Sequence, residues 1–138
     1  MCDVVGKNIM NHKTISDIQP FITTDGSLIR EIFHPERHNL PISCSIAHAT
    51  VKVGEATTPH TLKQSSEVYV ILSGQGIMHI NDEKQLLNPG DAVFIPAGSV
   101  QYIENFGYED LKFLCIVDPC WKEDEDEVIN VFCAKDGE

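Results

Sequence analysis

Residues 54–105 read GEATTPHTLKQSSEVYVILSGQGIMHINDEKQLLNPGDAVFIPAGSVQYIEN. Two spaced patterns lie in this stretch. The first places Gly54, His60, Leu62, Glu67 and Gly74 in order, and the second places Gly90, Pro96, Gly98, Gln101 and Asn105. Between them the chain alternates apolar and polar residues in short runs, as half-buried strands do. Runs are read at 58–62, 67–72, 76–80, 84–87, 91–95 and 100–105. Asn81-Asp82-Glu83 reads as a hairpin connection. Glycine and proline punctuate the remaining breaks, at Ser73-Gly74, Asn88-Pro89-Gly90 and Pro96-Ala97-Gly98.

The same rhythm extends outward. Further strands are read at 28–33, 43–53 and 111–117, and a turn at Thr23-Thr24-Asp25-Gly26-Ser27. Ser16-Asp17-Ile18-Gln19 suggests a short helical turn that Pro20 would stop. No long 3.6-residue period interrupts the central region. Many short strands with glycine and proline between them point to an all-β sandwich or closed barrel. The organisation expected is an N-terminal extension over residues 1–20, a barrel over 21–121 and an acidic C-terminal segment over 122–138.

The two patterns resemble the paired motifs of the cupin superfamily, G-x5-H-x-H-x3-4-E-x6-G and G-x5-P-x-G-x2-H-x3-N. The glycines, the proline, His60, Glu67 and Asn105 match. The resemblance implies a double-stranded β-helix, or jelly roll, in one domain. It also implies a divalent metal inside the barrel, held in many cupins by three histidines and a glutamate. On a strand, residues i and i+2 face one side, so His60 and position 62 would both point inward. Glu67 would join them from the next strand and position 101 from across the barrel.

This sequence departs from the pattern twice. Leu62 stands at the second histidine position and has no donor atom. Gln101 stands at the third and offers an amide oxygen, a weaker donor than imidazole for most transition metals. Two readings stay open. In one, His60, Glu67 and Gln101 hold a divalent metal with open positions, serving Lewis-acid or dioxygenase-like chemistry. In the other the site is metal-free, with the Gln101 amide donating to Glu67 and His60 completing a polar network. A glutamate in a barrel lined by Leu62 and other apolar side chains would hold its proton more firmly and act as general acid or base. Glu67 is therefore the candidate catalytic residue. Tyr69 shares its face and is read as a pocket residue beside Leu62, or as a core aromatic.

Function follows as binding of a small molecule in the barrel, by a metal-dependent enzyme or by a non-catalytic sensor with a degenerate site. The other features are read more plainly. His48 and His79 lie on expected strands with no motif to fix them inward. His34 and His38 are separated by Pro35 and read as a loop. Gly74-Gln75-Gly76 is a turn between strands rather than a dinucleotide loop. Trp121, the single tryptophan, is placed just past the last strand, across the barrel mouth or against a second subunit. Small cupins of this kind are often homodimers, with 21–22 and 28–33 as candidate sheet-extending strands.

The chain has 138 residues, enough for one domain of ordinary size, and a formal net charge of −11. A surface of that sign repels nucleic-acid backbones and anionic lipid, so neither is expected as a partner. The acidic run over residues 123–127 reads as a solvated helix start or tail. Residues 1–10 show no basic stretch followed by an apolar one, so no secretory signal is expected there. Five irregularly spaced cysteines without a C-x-x-C pair suggest reduced thiols and a cytoplasmic setting.

Overall fold

The computed structural model describes residues 10–129. A short 3-10 turn, Ile15–Asp17, precedes the strands. These are β1 (Phe21–Ile22), β2 (Leu28–Phe33), β3 (Ser45–Val51), β4 (His60–Leu62), β5 (Ser66–Ser73), β6 (Gly76–Ile80), β7 (Glu83–Leu87), β8 (Ala92–Ile95), β9 (Gln101–Glu104), β10 (Leu111–Asp118) and β11 (Asp126–Val128). They form two sheets in the order β1-β2-β3-β10-β5-β8 and β11-β4-β9-β6-β7. All pairings are antiparallel, and the sheets face one another as a jelly roll.

Alternation along the strands decides what fills the interior. On β5 the buried residues are Glu67, Tyr69 and Ile71, and on β10 they are Leu111, Phe113, Cys115 and Val117. Register places Glu67 beside Val117, Tyr69 beside Cys115 and Ile71 beside Phe113. On β3, Ser45 lies beside Val117, Ala47 beside Cys115 and Ala49 beside Phe113. One half of the barrel is packed solid by Ile71, Met78, Leu87, Ile95, Ile103, Leu111 and Phe113. The small inward residues Ser45 and Ala47 leave space in the other half.

The turns follow local chemistry. Gly74 links β5 to β6 at φ +79°, a conformation that side chains disfavour. A Cβ there would lie 2.5 Å from the Asp110 carbonyl oxygen, so the turn admits only glycine without moving backbone. Asn105 closes the second motif from within. Its buried amide donates to the Val51 and Glu109 carbonyls, and its carbonyl accepts from the Gly107 amide.

The acidic run differs from a solvated tail. Glu123–Glu125 makes a single 3-10 turn, and Asp126–Val128 then pairs with β4, Asp126 opposite Leu62 and Val128 opposite His60. Strand structure therefore continues past residue 121. Carboxylates are accommodated on β11 because it is an edge strand, with Glu127 and Val128 exposed and Asp126 turned toward the barrel mouth.

Candidate functional site

The site is a cavity in the unfilled half of the barrel, about 560 Å³ including its open mouth. His60 on β4, Leu62 on the same strand, and Glu67 and Tyr69 on β5 all line it. The motif spacing thus brings these four side chains to one space. Gln101 on β9 is paired with His60 in register but stands behind the lining, 1 % exposed.

Both ends of the Gln101 amide are engaged. Its Nε2 donates to Glu67 Oε1 at 3.1 Å, and its Oε1 accepts from the Tyr69 hydroxyl at 3.0 Å. With the Tyr69 hydroxyl as the donor on one side, the amide carbonyl faces Tyr69 and the amide NH₂ faces Glu67. The other Glu67 oxygen makes no hydrogen bond among the described residues. Burial pushes the Glu67 carboxyl from its ordinary 4.5 up to about 8; the Gln101 bond opposes this, and the charges of Asp25 and Asp126 add to it. Burial likewise raises the Tyr69 phenol and the Cys115 thiol, and a charge on Glu67 would raise each further. At neutral pH the three groups are therefore held in their protonated, neutral forms.

His60 is 3 % exposed and is oriented by the Thr58 carbonyl, 3.0 Å from its Nδ1. A carbonyl only accepts, so Nδ1 carries a proton and a neutral ring keeps its lone pair on Nε2. Nε2 faces Asp25 Oδ2 at 3.8 Å, too far for a hydrogen bond. Asp25 comes from the turn between β1 and β2. Its Oδ1 accepts from the Thr23 hydroxyl at 2.6 Å, the Ser27 hydroxyl at 2.7 Å and the Ser27 amide at 3.0 Å. The sequence reading took residues 23–27 for a plain turn and missed this residue. A single aspartate in a Gly-containing turn carries no signal for facing a histidine far along the chain.

Asp126 and Trp121 were also outside the expected constellation. Trp121 crosses the mouth, one of the two positions expected for it. Its Nε1 donates to Asp126 Oδ2 at 2.9 Å, and the Arg37 guanidinium lies 5.5 Å from its ring centre. The remaining histidines lie elsewhere. His34 is buried against the Trp121 carbonyl at 2.8 Å, His38 accepts from the His34 amide, and His79 pairs with Glu104 at 2.6 Å. His48 is buried on β3, outside the cavity lining.

Metal-ligand fit can be judged from the donor set. Among the described residues no three His, Cys, Asp or Glu side chains are grouped as a cation site. Leu62 supplies no donor, and the Gln101 oxygen is already committed to Tyr69. One imidazole and one carboxyl remain from the four positions, and this set does not match a three-histidine, one-glutamate centre.

Comparison with known proteins agrees with the architecture. A family model described as "Cupin domain" matches residues 47–117. The chain belongs to the cupin family. It is 39 % identical over 112 residues to an uncharacterised protein of Methanocaldococcus jannaschii, covering 81 % of this chain and 89 % of that protein. It is 34 % identical over 64 residues to an oxalate-binding protein of Thermotoga maritima, covering 46 % of this chain and 53 % of that one. Among solved structures, a predicted oxalate decarboxylase of T. maritima superposes with a TM-score of 0.68 at 26 % identity, covering 77 % of this cupin and 96 % of that chain. No helix among the described residues of this cupin is long and apolar enough to cross a membrane.

Proposed function

We propose that this cupin binds a small organic molecule in the barrel cavity without a resident metal, with Glu67 as the group that hands a proton to the bound ligand. The observation that carries the reading is the chain Tyr69–Gln101–Glu67. Both ends of Gln101 are used, so the side chain at a metal-ligand position of the family acts as a brace between two pocket residues. Glu67 keeps its second oxygen and, at neutral pH, its proton on the cavity side. A buried neutral carboxyl of this kind is a hydrogen-bond donor and a general acid. Leu62 and Tyr69 give the cavity the apolar wall that raises the carboxyl in this way.

Two further proposals accompany it. Among the described residues Cys44, Cys115 and Cys120 form no disulfide, which supports a reducing, cytoplasmic setting. The edge strand β1 leaves Ile22 65 % exposed, which supports sheet extension by a second copy in a homodimer.

Metal analysis tests the central reading. The protein, purified without chelator and dialysed against Mn²⁺, Fe²⁺, Ni²⁺ or Zn²⁺, is expected to hold far less than one ion per chain. The double variant Leu62→His, Gln101→His is expected to bind one ion tightly, because it restores the missing imidazoles in a barrel that already orients them. One ion per wild-type chain, lost in His60→Ala, would overturn the proposal.

A further inference from the structure

The lining of the cavity is one-sided in charge. Asp25, Glu31 and Asp126 face it beside the neutral Glu67, and among the described residues no lysine or arginine does. The Arg37 guanidinium lies outside in the mouth and is bound to Glu31 at 2.8 Å. The geometry is also one-sided in hydrogen bonding. His60 Nε2 and Asp25 Oδ2 face each other across 3.8 Å, too far for a hydrogen bond, both in residues more than nine-tenths buried. Asp126 Oδ1 is buried and has no hydrogen-bond partner among the described residues. Leaving a buried acceptor such as Asp126 Oδ1 without a donor carries a desolvation cost. A ligand that supplies several N–H bonds and a positive charge removes that cost at once.

We infer that the cavity takes a small organic amine as its ammonium ion, which donates to His60 Nε2 and Asp25 Oδ2 and is drawn in by Asp126. The inference rests on the metal-free reading above and names the ligand class for it. Trp121, fixed by its bond to Asp126, and Phe21 provide aromatic faces at the mouth, which suit an organic cation. A dicarboxylate such as oxalate meets the opposite environment: several carboxyl groups and, among the described residues, no fixed cation. The match to an oxalate-binding protein therefore does not extend to ligand charge in a metal-free pocket.

Ethanolamine, ethylene glycol, glycolate and oxalate separate the possibilities, since all four share a two-carbon skeleton and differ in charge. Trp121 is the single tryptophan, so its fluorescence and its indole NMR signal report directly on the mouth. At pH 7 without metal, ethanolamine should bind at least tenfold more tightly than ethylene glycol, and neither anion should bind. Asp126→Asn keeps the acceptor for Trp121 and should weaken ethanolamine at least tenfold with ethylene glycol unchanged. Asp25→Asn, checked for folding by circular dichroism, should do the same. Equal binding of amine and glycol would overturn the inference and leave the metal-free pocket standing, as would tighter binding of either anion. Silence from all four probes also counts against it. Binding of oxalate only when a divalent metal is added would overturn both readings together.

Discussion

The carboxyl of Glu67 should leave a signature in the pH dependence of folding. The side chain is buried and holds its proton to about pH 8, whereas in the unfolded chain it releases it near 4.5. Between those values the unfolded state binds fewer protons than the folded one, so stability falls as pH rises. Below pH 4.5 the contribution is fully present, and above pH 8 it is lost. At 1.36 kcal/mol per pH unit, the drop from pH 5.5 to 8 is about 3 kcal/mol and the whole span about 5 kcal/mol. Glu67→Gln replaces the neutral acid by an amide of the same shape. The amide oxygen still accepts from Gln101, and its NH₂ takes the place of the carboxyl proton facing the cavity. The variant should therefore fold, and its stability should lack this slope. Urea denaturation of both proteins at pH 5.5, 6.5, 7.5 and 8.5 measures the difference. Other titrating groups act equally on both and cancel in the comparison. Parallel stability curves for wild type and variant would refute the argument, because they would mean that Glu67 is ionised in the folded protein as in the unfolded one.

Removing the Tyr69 hydroxyl leaves the Gln101 carbonyl buried without a donor, so Tyr69→Phe should cost about 1–3 kcal/mol in the same urea assay. It should also loosen the brace on Glu67 and alter the pH slope; a loss below 0.5 kcal/mol with an unchanged slope would contradict the brace. For the dimer, sedimentation equilibrium should give twice the chain mass for wild type. Ile22→Asp, at an exposed edge position, should give the monomer mass with stability changed by less than about 0.5 kcal/mol. A monomeric wild type at tens of micromolar would remove that proposal.

The parts of this molecule that were legible in the sequence are those set by short-range chemistry. Gly54, Gly74, Gly90 and Gly98 all adopt positive φ, between 79° and 94°, so each motif glycine marks a real turn. Strand alternation then places His60, Leu62, Glu67 and Tyr69 inside without further information. What escaped the reading comes from pairings between distant segments. Asp25 reaches the site because β1 and β2 fold over the mouth, and Asp126 reaches it because β11 adds to β4. Neither pairing has a local signature, and an acidic run has the composition of a solvated surface even where one member turns inward.

The acceptors explain why these particular residues belong together. In the metal-binding pattern that the motifs resemble, a divalent cation would satisfy the inward histidines and glutamate at once. Here the sequence replaces that cation piecemeal. Leu62 removes one acceptor outright. Gln101 turns a second into a donor, and it serves Glu67. Burial supplies Glu67 with a proton of its own for its remaining oxygen. The balance is completed on that side of the cavity and not on the other, where His60 faces Asp25 at 3.8 Å without a hydrogen bond. Two acceptors that face one another at a cavity wall are open to a donor from a bound molecule. The side of the barrel bearing His60 and Asp25 is therefore where a ligand is needed, and the side bearing Glu67 is where it would meet a proton already in place.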